Sequence, residues 1–419
     1  MKPFLLSRRE ALQGLGAAAI GVPLVISSTA LGNADVPPAS ERIALGHIGV
    51  GNEGGALFRE LQKCKGVQSV AIADAYKDRS DAYARQINGK SYGDFREMLA
   101  RRDIDAVVIA TPDHWHVPMA VAAARAKKDA YVEKPLGVTI EQDLVCRRVF
   151  AREGRIFQYG TQQRSSRHCR FGCELVRSGR IGKVHAIEVT APNGGAGGST
   201  VEVAVPPNLD YDFWCGPAPL KPFTADRCHP PGTYWIDDYS IGYLAGWGAH
   251  PLDIMVWGSD ADLAGPITVE GTGVIPQKGL YDTVYNWDMQ LRLGDGVKMT
   301  FKPGGDMTRF IGSNGWVEIR RSGIKAEPES LLTSPIGPHD VHLVESANHY
   351  QNFVDSVKSR KPAVSPLDHA VRSDIISHLC NIAVRTKRKI AWDPKKETIV
   401  GDTEAARLVH RDLRAPWTL

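Results

Sequence analysis

The feature that most constrains this chain is Gly49-Val50-Gly51-Asn52-Glu53-Gly54, a G-x-G-x-x-G turn set between two kinds of periodicity. Ile43 to Val50 is a short apolar run, and Ala56 to Cys64 continues at helical spacing through Leu57, Phe58 and Leu61. A second strand, Val67 to Ala73, closes on Asp74, about twenty residues beyond Gly54, where the dinucleotide fingerprint places its acid. Gly49 permits the tight turn and Gly51 lets the backbone approach a pyrophosphate. Gly54 lets helix and strand pack closely. The helix start, with Asn52 and Glu53 in its first turn, offers free N–H groups to phosphate charge. Asp74 is expected to hydrogen-bond the adenosine ribose and to repel a 2′-phosphate, which favours NAD over NADP. Lys77 and Arg79 lie close by and argue the other way.

The alternation continues. Asp81 to Ile87 and Phe95 to Leu99 read as helical, and Ile104 to Ala110 (IDAVVIA) is nearly all apolar, as buried parallel strands are. An Ala-rich helix, His116 to Ala126, and a fourth strand, Ala130 to Glu133, follow. Such βαβ units predict a doubly wound parallel sheet, placed at residues 42–165 as an NAD(P)-binding Rossmann domain. Past residue 165 the texture changes. A helix at 167–178 and the strand Val184 to Ala191 precede a glycine-rich loop, Asn193 to Gly198. Residues 206–240 are rich in Pro, Asp and aromatics, as site-forming loops are. Leu244 to Trp257 reads as one helix. The runs ITVEGTGVI, WDMQLRL, VKMTFK and GWVEIR alternate as antiparallel strands do, and helices at 342–358 and 367–387 close the chain. Residues 166–419 are thus expected to form an α+β domain with an open, mainly antiparallel sheet.

The first 32 residues read differently. Ser7-Arg8-Arg9 opens a basic segment, an apolar stretch broken by glycines runs to Ala30, and Ser28-Thr29-Ala30 ends in small residues. This is a secretory pattern, and the arginine pair points to the twin-arginine route and a periplasmic destination. No stable membrane insertion is expected once the leader is removed. With 51 Lys+Arg against 47 Asp+Glu in 419 residues and no long basic run, nucleic acid is not an expected partner. The seven cysteines are an odd number. Cys215 and Cys228 are a conceivable bridge in an oxidising compartment. Cys169 and Cys173, beside His168, share a helix face, but a zinc site needs three or four ligands, so buried free thiols and no metal are expected.

Two further turns carry chemistry. Thr111-Pro112-Asp113-His114-Trp115-His116 follows the third strand, at the strand ends where open α/β sheets bind ligands, and holds two histidines and a tryptophan. Glu133-Lys134-Pro135 ends the fourth strand and aims a lysine into the same crevice, with Pro135 expected cis. Trp214, Tyr234, Trp235 and Tyr243 offer apolar faces on which a sugar ring can stack.

Taken together, the order GVGNEG…AIAD…VVIATPDHWHVPMA…YVEKPLGVT resembles the Gfo/Idh/MocA oxidoreductases. The resemblance runs from about residue 43 to the C-terminus. It implies hydride exchange between a nicotinamide and a sugar, glycoside or polyol hydroxyl. Lys134 would then be a catalytic and substrate-holding residue, and Thr111, Pro112, His114, His116, Glu133 and Gln162 would line the cofactor. Arg164 of Gln162-Gln163-Arg164 would touch substrate beside Trp235. The family's second signature, L-x-D-x-G-x-H-x-x-D, matches Leu244 to Asp253 with His250 as the catalytic base and Asp253 as a brace. Gly246 stands where relatives carry an Asp that binds the reacting hydroxyl, and Asp237 or Asp238 is the expected replacement carboxylate. Export implies a tightly bound NAD regenerated within each turnover. Two alternatives follow: an NAD-dependent glycosidase working by transient oxidation, elimination and re-reduction, and an inactive sugar- or nucleotide-binding relative. By analogy the assembly would be a homodimer or homotetramer.

Overall fold

The computed structural model describes Pro38 and residues 41–259, 265–294 and 296–419; the expected leader lies outside them. Contacts divide the chain into Met1–Arg42 and Ile43–Leu419. In the first unit the Glu41 amide donates to the Pro38 carbonyl at 2.9 Å. All that follows concerns the second.

Six parallel strands form the first sheet: β1 (Ile43–Ile48), β2 (Val67–Ala73), β3 (Lys90–Tyr92), β4 (Ala106–Ile109), β5 (Asp129–Val132) and β6 (Phe157–Tyr159). Their spatial order is β3-β2-β1-β4-β5-β6, the doubly wound order whose switch point falls between β1 and β4. β4 and β5 are buried at every position because helices cover both faces, which is why their sequences are unbroken apolar runs. The intervening helices are α1 (Asn52–Leu61), α2 (Lys77–Gln86), α3 (Phe95–Leu99), α4 (Asp113–Arg125) and α5 (Ile140–Glu153). Two boundaries matter for the site. α1 starts at Asn52, so Gly54 lies in its first turn. α4 starts at Asp113 rather than His116, because Pro112 adopts the extended conformation that precedes a helix; Asp113, His114 and His116 therefore belong to a helix start.

The second sheet has nine strands. They are β7 (Val184–Ala191), β8 (Ile267–Val274), β9 (Asn286–Arg292), β10 (Lys298–Pro303), β11 (Met307–Gly312), β12 (Gly315–Arg320), β13 (Gly323–Glu327), β14 (Ile390–Asp393) and β15 (Thr398–Ile399). They lie in the order β13-β12-β11-β7-β10-β9-β8-β14-β15. Every pairing is antiparallel except β7 with β10. On β9 Trp287, Met289 and Leu291 point inward while Asn286, Asp288, Gln290 and Arg292 are exposed, so one face packs on the core and the other is open.

Against the covered face lie α6 (Arg167–Arg177), α10 (Ala249–Ser259) and α12 (Leu367–Thr386). The expected helix Leu244 to Trp257 is two: a short α9 (Tyr243–Gly246) and then α10. At Gly248, between them, any Cβ would fall on the Leu244 carbonyl oxygen, and Pro251 has no N–H to give the preceding turn. The break places His250 in the first turn of α10. The expected helix 342–358 shortens to α11 (His349–Ser359), because Asn348 caps it by accepting from the Tyr350 and Gln351 amides at 2.9 Å. All seven cysteines are free, six of them buried, so Cys215 and Cys228 are not bridged.

Candidate active site

The loops after β1, β2, β4 and β5 open into one cavity of about 310 Å³. Gly49 sits at φ +79°, where a Cβ would come within 2.6 Å of the Ala110 carbonyl oxygen. At Gly54 a Cβ would fall on the Gly49 carbonyl, so both positions require glycine for the turn to pack. At Gly51 the only atom near such a Cβ is Arg79 Nη1, at 3.6 Å; that side of the backbone faces the cavity. The glycine cradle, the α1 start and a carboxylate at the end of β2 fit a dinucleotide.

Asp74 is anchored at both oxygens. Oδ2 accepts from the Val50 amide and Oδ1 from the Tyr76 amide, each at 2.8 Å. Each oxygen keeps a lone pair for a ribose hydroxyl. Burial raises this carboxyl and the two amides oppose the rise. Lys77 is turned away into an exposed pair with Asp81 at 2.6 Å. Arg79 stays at the cavity, its guanidinium 3.8 Å above the Tyr76 ring.

At the other end are Thr111, Pro112, Asp113, His116, Glu133 and Lys134, joined by Trp214 and Tyr234 from the long loop region. The Lys134–Pro135 bond is cis. His116 ties the two strand-end loops together: its Nδ1 lies 2.6 Å from the Pro135 carbonyl oxygen and its Nε2 2.8 Å from that of Thr111. Burial lowers this imidazole to about 4, with the two carbonyls opposing. Glu133 is buried and pushed up to about 7; the Lys134 charge opposes the rise and Glu53 adds to it. It accepts from Gln162 Nε2 at 3.0 Å and from the Lys134 amide at 3.2 Å, so Gln162 supports the site through Glu133.

His250 is buried, with Nδ1 lacking a hydrogen-bond partner. Burial first, then the positive charges of Lys134 and Arg321, hold it neutral, well below its ordinary range. An aromatic wall leads to it: Tyr234 and Tyr243 lie 6.1 Å apart, Tyr243 and Trp247 6.0 Å, and Trp247 and His250 5.9 Å between ring centres.

Several expected contacts are made elsewhere. Arg164 is fully buried and gives Nε and Nη2 to the Asp253 carboxylate at 2.6 and 2.7 Å; it braces α10, which carries His250, and has no face on the cavity. Asp237 is paired with Arg385 at 2.6 Å and with Arg411 at 3.2 Å. Asp238 is paired with Lys221 at 2.5 Å. Neither lines the cavity, so neither replaces the carboxylate absent at Gly246. Trp235 lies behind the wall, 4.2 Å from Tyr243, and is covered by Gly194 and Gly195, where a Cβ would come within 3.0 and 2.8 Å of its indole. His114 faces Tyr239 and Trp214, at 5.0 and 5.6 Å, away from the cavity.

The residue that sequence reasoning missed is Asp113. It lines the cavity, is 5 % exposed, and its Oδ2 has no hydrogen-bond partner. Burial pushes its carboxyl up to about 7, against a hydrogen bond from Ser240 and the charge of Lys134. Its position at the end of the third apolar strand was the available signal.

Comparison with known proteins agrees with this geometry. Residues 43–161 match the profile described as "Oxidoreductase family, NAD-binding Rossmann fold" of the GFO/IDH/MocA group. Residues 195–419 match "Oxidoreductase family, C-terminal alpha/beta domain" of the same group. A Glycosyl hydrolase family 109 protein of Shewanella sp. (strain W3-18-1) is 35% identical over 117 residues, 26% of each chain. The Alpha-N-acetylgalactosaminidase of Shewanella oneidensis is 35% identical over 120 residues, again 26% of each. The match thus spans about a quarter of the length of these relatives. Among solved structures, the aldose-aldose oxidoreductase of Caulobacter crescentus complexed with glycerol aligns with a TM-score of 0.62 at 17% identity, over 83% of this chain and 99% of that one. The scyllo-inositol dehydrogenase of Lactobacillus casei with bound NAD(H) and scyllo-inositol aligns at 0.59 and 18%, over 84% and 99%. At these identities the likeness is one of fold.

Proposed function

Because the chain belongs to the Gfo/Idh/MocA oxidoreductase family and carries its NAD-binding Rossmann domain, we propose that it interconverts a hydroxyl and a carbonyl on a sugar or polyol, with Lys134 and His250 as the catalytic pair. The observation that carries this reading is a lysine at the end of β5, on the cavity wall, whose charge acts on His250, a buried histidine behind the lining with an unpartnered Nδ1. Bound there, NAD would take or give a hydride; the rest falls to the chain. The Gly49–Gly54 cradle and Asp74 hold the dinucleotide. The Lys134 ammonium donates to the substrate oxygen and stabilises the charge that grows on it as its proton leaves. Neutral His250 is a base able to take that proton, a role worth about 10²–10⁴-fold in rate. Trp214 and Tyr234 present apolar faces to the ring, and Arg164 with Asp253 keeps α10, and so His250, in place.

A second reading has its own support. Matched relatives are named as glycosidases, and the cavity holds two further acids, Asp113 and Glu133, both raised to about 7. An acid near neutrality can protonate a leaving oxygen and later release the proton, as a glycosidase with no net redox change needs. The Ser7-Arg8-Arg9 leader supports export, which favours a captive, recycled cofactor.

The test begins on protein as purified. After denaturation, the supernatant should contain NAD(H) near one per chain and little NADP(H). Scyllo-inositol, myo-inositol and aldoses should then change the nicotinamide absorbance. If only 4-nitrophenyl N-acetyl-α-galactosaminide is consumed, releasing nitrophenol with no net absorbance change of the cofactor, the glycosidase reading replaces the first. Protein that neither holds nor binds NAD contradicts both.

A further inference from the structure

The chain lacks a carboxylate on α9, and the acids expected to replace it are locked in ion pairs with Arg385, Arg411 and Lys221. We propose that Asp113, at the start of α4, is a catalytic residue: the carboxylate that exchanges a proton with the reacting hydroxyl beside Lys134. This rests on the oxidoreductase reading above.

Geometry carries the assignment. Asp113 is the first residue of α4, directly after Pro112 and the end of β4, on the switch-point side of the sheet. It lines the same cavity as Lys134, Glu133 and Tyr234. Its Oδ2 is buried and unpartnered. Buried polar atoms are nearly always satisfied, and an acid left open at the wall of a cavity is set up to meet a polar group of a ligand. The charged and titratable groups around it agree. Lys134 favours its ionised form, and the hydroxyls of Tyr234 and Tyr243, on the aromatic wall, are both pushed up in part by its charge. Asp113 therefore shares the cavity lining with Lys134, which would hold the substrate oxygen, and with Tyr234. Glu133 is the other acid at this end, but it already accepts from Gln162, Tyr131 and the Lys134 amide.

The step assigned to Asp113 is the proton transfer itself, in place of His250, which does not line the cavity. The substrate O–H bond breaks, an O–H bond forms at Oδ2, and the electron pair left on oxygen becomes the carbonyl π bond as the hydride on the same carbon goes to oxidised nicotinamide. In the reverse direction the neutral acid returns its proton to the carbonyl oxygen. A carboxyl near 7 is suited to both directions at neutral pH.

Gly246 supplies a control. A Cβ there meets nothing closer than Tyr243 Cδ1 at 3.4 Å, so the site tolerates a side chain on α9. The test compares wild type, K134M, D113N and D113N/G246D, each with bound NAD quantified, in scyllo-inositol oxidation followed against pH. The expected result is a loss of kcat of at least about 100-fold in D113N, with NAD content retained and the pH limb near neutrality gone. Part of the rate should return in D113N/G246D. If K134M is inactive while D113N keeps its rate and its pH profile, the assignment falls and the oxidoreductase reading stands. If D113N loses NAD together with activity, Asp113 belongs to the cofactor cradle and the assignment falls. If wild type turns over no polyol, the oxidoreductase reading fails and this assignment with it.

Discussion

Two groups of buried acids flank the segment that carries Lys134 and Pro135. On the cavity side are Asp113 and Glu133. On the far side are Asp143 of α5 and Asp374 of α12, with His378, whose ligand atoms lie within 4.8 Å of one another. Burial raises the carboxyls of both groups: Asp113 and Glu133 to about 7, Asp374 to about 8, and Asp143 well above its usual range. They differ in what they face. Asp374 accepts from the Leu136 amide at 2.5 Å and from the Tyr159 hydroxyl at 2.8 Å, and Asp143 lies 3.2 Å from His378 Nε2. This group is sealed, and it ties α5 and α12 to the strand-end loop. Asp113 keeps an open oxygen at a cavity wall. Neither a perturbed acid nor an unmet valence alone therefore marks a catalytic site, since both Asp143 oxygens and His378 Nε2 also lack hydrogen-bond partners; what sets Asp113 apart is its place on the cavity lining.

Four experiments would break or sharpen this contrast, in descending order of effect. Lys134→Met should lower polyol turnover by about 10²–10⁴-fold with NAD content unchanged, as measured by steady-state kinetics and cofactor release. Next is the buried Arg164–Asp253 pair, at 1% exposure on each side. Arg164→Ala should cost about 3–5 kcal/mol in denaturant unfolding, because it strands a buried carboxylate. Turnover by the surviving folded fraction would fall with it, since α10 carries His250. Asp374→Ala should cost about 1–3 kcal/mol for each donor left unpaired, the Leu136 amide and the Tyr159 hydroxyl, in the same unfolding assay. Kinetics of the folded protein should show no comparable loss.

The smallest effect is a pH dependence. Asp374 is raised from 3.8 to about 8 in the folded state, so between those values the unfolded chain has released a proton that the folded chain retains. Stability from this group therefore falls as pH rises across that interval. His378 is lowered from 6.5 to about 4; it acts in the opposite sense, adding stability as pH rises to 6.5, and nothing further above it. The net expectation is a melting temperature that declines from pH 6.5 to 8, and a shallower decline in Asp374→Asn. A melting temperature that rises over that interval in wild type would remove this account of the sealed group.

The parallel half of the molecule was legible in the sequence because its signals are local. IDAVVIA is buried on both faces and reads as a strand without its neighbours, and the Gly49–Gly54 turn meets Asp74 through one short crossover. The other half depends on long-range partners. β3 and β6 of the first sheet and β11, β13, β14 and β15 of the second were not read as strands; β3, β6, β14 and β15 have four residues or fewer, too few for a period of two to show. Arg164 was read as a substrate contact because nothing near it in sequence reveals Asp253, whose carboxylate saturates it. Asp237 and Asp238 were read as free for the same reason: Arg385, Arg411 and Lys221 reach them from distant segments. Asp113 was quoted in its motif yet passed over, because the two histidines and the tryptophan around it are the more conspicuous residues. In the fold those three brace backbone or pack, His116 between two carbonyls and Trp115 donating to the Trp214 carbonyl at 2.9 Å, and the acid is left facing the cavity.

The most direct test of the contrast is to measure turnover and melting temperature side by side for Asp113→Asn and Asp374→Asn, each with its NAD content determined. The account predicts a crossing. D113N should lose turnover with its melting temperature not lowered, and D374N should keep turnover with its melting temperature lowered at pH 6.5. If D113N retains turnover, or D374N loses it while melting as wild type does, the division between an open catalytic acid and a sealed structural one is wrong.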